Sequence, residues 1–253
     1  MNELHNPTLR VINIINNLAL EENGYTFSEL VKITGIPRGT LFPILKTLTE
    51  FNYIEFDKIT NKYQIGVEIF LNGTIYRHKN TALELIKGQL ELISQKCKET
   101  CHLGILKGKG LLYLLKIESK ESIVLPSIVG KSLPANATAL GKANLSGLSN
   151  KELEVLFKDG LDSINDNTIV DLDVLKKEIA EIKKTGFAYE YCESSMYAEC
   201  IAIPIKKNDK VIAAVSVTIP TFRSNEEKRE EIKKLLLFHK KKIEVILKNF
   251  DLF

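Results

Sequence analysis

Over residues 7–22 the apolar side chains Val11, Ile12, Ile14, Ile15, Leu18 and Leu20 recur at helical spacing, so the chain opens with an amphipathic helix. In the next stretch, "TFSELVKITG", Thr26 is followed three residues on by Glu29, the pattern of a capping box, and Gly35 supplies a stop. A short second helix is predicted there. "GIPRGTLFPILKTL" gives a third helix, with Pro37 at its first position and Leu41, Ile44, Leu45 and Leu48 facing inward. "NYIEFDKITNKYQIG" alternates apolar and polar residues around a polar turn and reads as a small hairpin. Helix, helix, turn, helix, hairpin is the order of a winged helix-turn-helix.

Helical periodicity then covers residues 66–101, with a break around 79–81. From His102 the texture changes. "HLGILKG", "GLLYLLKIES" and "SIVLPSIVG" are strand-like runs, "NATALGKANLSGLS" and "LDVLKKEIAEIKKTG" read as helices, and Gly186 ends the second of these. "FAYEYCES", "CIAIPIKK" and "VIAAVSVTIP" return to strands, with Asn208-Asp209 as a hairpin turn between the last two. A basic amphipathic helix over 226–249 follows. The predicted fold class is α+β: a winged helix-turn-helix over residues 1–66, a linker helix over 67–80, and over 81–253 an α+β domain with a mainly antiparallel sheet.

Composition narrows the function classes. The 253 residues suffice for two modest domains, and a net charge of only +3, from 35 basic and 32 acidic residues, means that any nucleic-acid surface must be local. The start "MNELHNPTLR" lacks a basic region followed by an apolar core, and no apolar run approaches the ~18 residues of a membrane span; a cytoplasmic protein without membrane contact is expected. Cys97, Cys101 and His102 invite a metal reading. Their flanks read as a helix running into a strand, and paired Cys-x-x-Cys spacing is missing, so core cysteines without a metal are the expectation. No histidine accompanies Cys200, Glu193 and Ser195 in sequence, so neither catalysis nor a cofactor is expected.

In a helix-turn-helix the first residues of the second helix meet base edges in the major groove. Here these are Arg38, Gly39 and Thr40, with Phe42 a turn on, Lys46 and Thr47 near the DNA backbone, and Lys58 and Lys62 in the wing. Arg38 can offer guanine two donors, and Thr40 can reach a base or a phosphate. Pro43 interrupts this helix. Either the helix continues with a kink near 39–43, which is the favoured reading, with Gly39 making room for the proline ring, or Pro43 begins the helix.

"FSELVKITGIPRGTLFPILKTLTEFNYIE…NKYQIG", "VGKSLPANATALGKANLS" and "LKKEIAEIKKTGFAYEYCES…CIAIPI…VIAAVSVTIP" together resemble the IclR family of bacterial transcription regulators, over nearly the whole chain. The resemblance implies a winged helix-turn-helix joined by a linker helix to a GAF-like domain that senses a small organic effector. It implies homodimers formed through the N-terminal half, often paired into homotetramers. By motif position the effector cavity draws on Ala139, Leu140, Cys200, Ser216 and Thr218. Ser216 and Thr218 alternate along one strand, and their hydroxyls suit a carboxylate or aromatic acid. Three positions depart from the family: Pro43 stands where arginine is usual, Gly39 where serine is usual, and Tyr197 at about the place of a glycine. The expected function is a sequence-specific DNA-binding regulator, a repressor, that binds a roughly palindromic operator in double-stranded DNA under effector control. The alternative is a protein-interaction adaptor or ligand sensor with weakened DNA binding.

Overall fold

A computed structural model describes residues 4–121 and 127–252, the side chains of 77 and 78 aside. The chain divides into two compact units, 1–79 and 80–253.

In the first unit α1 (Asn6–Leu20) buries Ile14 and Leu18. The capping box forms as the sequence predicts: the Thr26 hydroxyl accepts the Glu29 N–H, and the Glu29 carboxylate accepts the Thr26 N–H at 2.7 Å. This starts α2 (Phe27–Thr34), which Gly35 ends in the left-handed conformation, φ 67°. Helix α3 (Arg38–Glu50) turns Leu41, Leu45 and Leu48 into a core shared with Ile14, Leu18, Leu30, Ile36 and Ile54, with Ile44 half-buried against it. Strands β2 (Ile54–Asp57) and β3 (Lys62–Ile65) form the expected hairpin. A two-residue strand, β1 (Tyr25–Thr26), joins its edge; two residues are too few to leave a periodic trace. Helix α4 (Val67–Lys79) completes the unit.

The second unit begins at α5 (Thr81–Cys97), capped by the Asn80 side chain, so the predicted break falls at Asn80. Its centre is an antiparallel sheet in the order β6-β5-β4-β9-β8-β7. The strands are β4 (Thr100–Lys107), β5 (Gly110–Ile117), β6 (Ser132–Pro134), β7 (Ala188–Tyr191), β8 (Ala198–Lys207) and β9 (Lys210–Pro220). Asn208 and Asp209, φ 50° and 60°, make the tight turn between β8 and β9. One sheet face carries Leu103, Ile201, Ile203, Val215 and Val217 and packs under α5 and α9 (Glu226–Asn249), which contributes Ile232, Leu236, Ile243 and Leu247. The opposite face packs under α6 (Ala139–Leu145), against which α8 (Leu172–Thr185) and α7 (Asn150–Leu156) assemble a smaller core.

Three expectations change. Pro37 is the N-cap, φ −57° and ψ 142°, and its carbonyl accepts the N–H groups of Thr40 and Leu41, so helical geometry starts at Arg38. The helix read in "NATALGKANLSGLS" splits: Ala135–Ala137 is a 3₁₀ turn, extended Thr138 caps Gly141, and α6 starts at Ala139. Gly141 is required there, because a Cβ would overlap the Ala135 backbone. The strand expected over 122–130 falls largely outside the described residues, and within it Val129 and Gly130 form a turn.

Candidate DNA-reading surface and effector site

At 100° per residue, the buried stripe of α3 runs along Leu41, Leu45 and Leu48. Its exposed face therefore presents Arg38, Gly39, Phe42, Pro43, Lys46 and Thr47. Thr40 lies at the margin and is half-buried. The Arg38 guanidinium donates to the Ser28 hydroxyl at 3.1 Å and lies 5.6 Å from the centre of the Phe27 ring. Lys58 is exposed at the hairpin turn, and Lys62 is half-buried on β3.

The chain stays helical across Pro43, which excludes a helix beginning there. The missing N–H leaves the Gly39 carbonyl without its usual donor, and the exposed face lets water serve it. Thr47 donates to the Pro43 carbonyl at 2.9 Å. A Cβ on Gly39 would meet no atom within 4 Å, so the missing side chain of Gly39 is not what accommodates the proline ring.

In the second unit, strand order gathers residues far apart in sequence. One row across the sheet runs Lys116, His102, Ser216, Ala202, Ala188, and the next runs Thr100, Thr218, Cys200, Glu190. Ala139 and Leu140, from α6, pack over this face with Tyr113, Ala202 and Ala214. All five residues assigned to the effector cavity thus come together. Cys200 Sγ lies 3.2 Å from Thr218 Oγ1. Ser216 is buried, and no described residue partners its hydroxyl.

The sequence reading did not assign three further polar groups to this face. His102 is buried, with Nε2 2.7 Å from Ser127 Oγ and its ring 5.1 Å from that of Tyr113. Burial, with Lys116 nearby, lowers its pKa to about 3, so the imidazole is neutral. Burial also raises the Tyr113 phenol. Glu190 accepts the N–H groups of Glu193 and Ser194 at 2.7 and 2.9 Å through one oxygen; the other is buried beside Cys200 without a partner. Burial raises its pKa. Period-two alternation in "FAYEYCES" and "VIAAVSVTIP" was the available signal for shared faces, but it gives no strand order.

Lys142, in α6, is 0% exposed. Its ammonium donates to Glu193 at 2.6 Å, Glu178 at 2.7 Å and the Tyr189 carbonyl at 3.3 Å, tying α6 to α8 and to the turn after β7. A buried cation requires such pairing. Tyr197 stands in the turn before β8 and is 75% exposed. Cys97 and Cys101 lie together in the core under α5 and α9. Among the described residues no group of three or more His, Cys, Asp or Glu side chains is placed to hold a metal ion.

Family comparisons agree with these two units. Residues 8–58 match the IclR helix-turn-helix domain, and residues 76–245 match the bacterial transcriptional regulator IclR C-terminal domain. The chain belongs to the IclR family. The transcriptional regulator XynR of Escherichia coli is 29% identical over 217 residues, 85% of each chain. The transcriptional repressor AllR of the same organism is 25% identical over 221 residues, 87% of this chain and 82% of its own. A solved IclR regulator from Alicyclobacillus acidocaldarius superposes with TM-score 0.85 over 96% of this chain and 99% of that one, at 18% identity. An IclR homologue from Microbacterium hydrocarbonoxydans, solved in complex with 4-hydroxybenzoate, gives TM-score 0.77 over 96% and 99% at 21% identity.

This IclR-family protein is a DNA-binding transcriptional regulator with a C-terminal effector-binding domain, not an enzyme. Burial pushes the Cys200 thiol up, away from the thiolate that a nucleophile needs. Among the described residues, no helix is long and apolar enough to cross a membrane.

Proposed function

We propose that this regulator represses transcription by holding a roughly palindromic operator as a homodimer, and that a small organic effector releases it. In this reading residues 1–66 read DNA, 67–80 link, and 81–253 sense. Arg38, Gly39 and Phe42 meet the major groove with Thr40 at the margin of that face, Lys46 and Thr47 lie near the DNA backbone, and Lys58 and Lys62 follow the backbone from the wing. The effector lies on the sheet face against Ala139, Leu140, Cys200, Ser216 and Thr218. The observation that carries this is the Glu190 carboxylate oxygen buried there without a hydrogen-bond partner, beside a buried Ser216. Buried polar groups are ordinarily satisfied, and a ligand supplies what the fold omits.

Helix α4 supports the dimer. Val67, Phe70, Leu71 and Ile75 are exposed along it at helical spacing, a stripe that a second copy would cover. Pairing into tetramers and a cytoplasmic location follow from the family resemblance. A small carboxylate or an aromatic acid is the effector class, and 4-hydroxybenzoate, bound by one structural neighbour, is a first compound to try. The effector shifts DNA affinity only as far as it prefers one arrangement of the protein over the other.

Selection of genomic fragments on the purified protein, followed by a salt titration, tests the DNA half. One short, roughly palindromic site should be enriched, with affinity falling as salt rises; no enrichment refutes it. A thermal-shift screen tests the other half, since a ligand at a hundred times its dissociation constant adds ~2.7 kcal/mol. Ser216→Ala should blunt the response to the best hit. An unchanged response means the effector binds elsewhere.

A further inference from the structure

The rows that bring Ser216 and Thr218 together also give this face a second pole, on β4. His102 is next to Ser216 in its row and is buried. Ser127 holds Nε2 at 2.7 Å, and Tyr113 lies against the ring, its centre 5.1 Å away, so the imidazole is fixed from two sides. No described residue partners Nδ1. Among the described residues, the fixed ring therefore presents a nitrogen without a hydrogen-bond partner beside a serine hydroxyl without one, on a face whose apolar lining is Ala139, Leu140, Ala202 and Ala214.

We propose that His102, positioned by Ser127 and Tyr113, is a specificity-determining residue of the effector site, and that it selects an effector bearing a hydroxyl group beyond its acid group. This rests on the sheet face being the effector site. A neutral imidazole either donates to or accepts from a hydroxyl, depending on its tautomer, whereas it gives a second carboxylate no charge to pair with. Its depressed pKa keeps it neutral throughout the physiological range. An analogue without the hydroxyl leaves both Nδ1 and Ser216 Oγ desolvated and unpaired, which is how such sites reject near-isosteres.

The test uses matched acids that differ by hydroxylation, gluconate against hexanoate and mandelate against phenylacetate, with the full-length protein and thermal shift followed by calorimetric titration. In at least one pair the wild type should prefer the hydroxylated member by about three- to tenfold, the worth of one hydrogen bond. His102→Leu should remove the preference while still binding the deoxy member, and His102→Gln should restore part of it. Loss of folding alone would weaken both members together and leave their ratio unchanged. No preference in the wild type for either pair, or a preference that survives in His102→Leu, overturns the proposal. Ser216→Ala separates the two levels: if it leaves all four acids unaffected, the sheet face is not the effector site. If it weakens them while His102→Leu leaves the ratio intact, only the role of His102 fails.

Discussion

His102 ties this sheet face to stability through a measurable proton. Its pKa falls from 6.5 to about 3 because the folded chain buries the ring. Between those values the unfolded chain holds a proton that the folded chain refuses. Stability therefore declines as pH falls from 6.5 towards 3 and is unaffected by this group above 6.5. At pH ~5, about one and a half units into that window, the penalty is about 2 kcal/mol. His102→Gln keeps a polar group of similar reach and cannot titrate. Urea unfolding of the full-length protein, followed by circular dichroism at pH ~7.5 and ~5, gives the comparison. Between the two pH values the wild type should lose about 2 kcal/mol more than His102→Gln. Glu190 and Glu193, whose pKa values burial raises, contribute with the opposite sign, but they are common to both proteins and drop out of the difference. Losses that agree within about 0.5 kcal/mol would show that His102 is protonated or solvated in the folded state, and would refute the reasoning.

Three other outcomes follow from the geometry. Gly39→Ala should stabilise the first unit by about 0.5–1 kcal/mol in thermal unfolding, since the position is helical and open; destabilisation would mean that Gly39 answers a backbone need. Pro43→Arg should tighten operator binding and steepen the slope of log affinity against log salt by ~0.9, one phosphate contact, and an unchanged slope would place residue 43 away from the DNA. Lys142→Met should cost about 3–5 kcal/mol, because it leaves Glu193 buried without its cation, and Glu193→Gln on that background should recover part of the loss; a Lys142→Met protein as stable as the wild type would mean the ion pair does not survive in solution.

Local chemistry made much of this fold legible. Thr26 with Glu29, Gly35 and Gly186 set helix ends whose hydrogen bonds lie within a few residues, so the sequence carries them in full. Leu41, Leu45 and Leu48 fixed which side of α3 faces the core, and with it which side is free for DNA. Alternation likewise put Ser216 and Thr218 on one face of β9. Short-range rules served less well where an element was too short to show a period, as in β1 and β6, or where tertiary packing cut a helix, as at Thr138.

What the sequence determined by itself was therefore the order of elements, their caps and the inward side of each. What only the tertiary structure decided was which inward sides meet. His102, Tyr113, Glu190 and Ser216 share a face because β9 inserts between β4 and β8 and pairs Ser216 with His102, and because a register shift between β4 and β5 at Leu103 and Gly104 puts Tyr113 on that side. Nothing near Lys142 in "TALGKANLS" foretells a fully buried ammonium, since its partners Glu178 and Glu193 arrive from elements 36 and 51 residues away. Caps and periodicity act over a few residues, whereas burial and charge pairing act across the assembled fold, and that difference in range separates what could be read from what had to be seen.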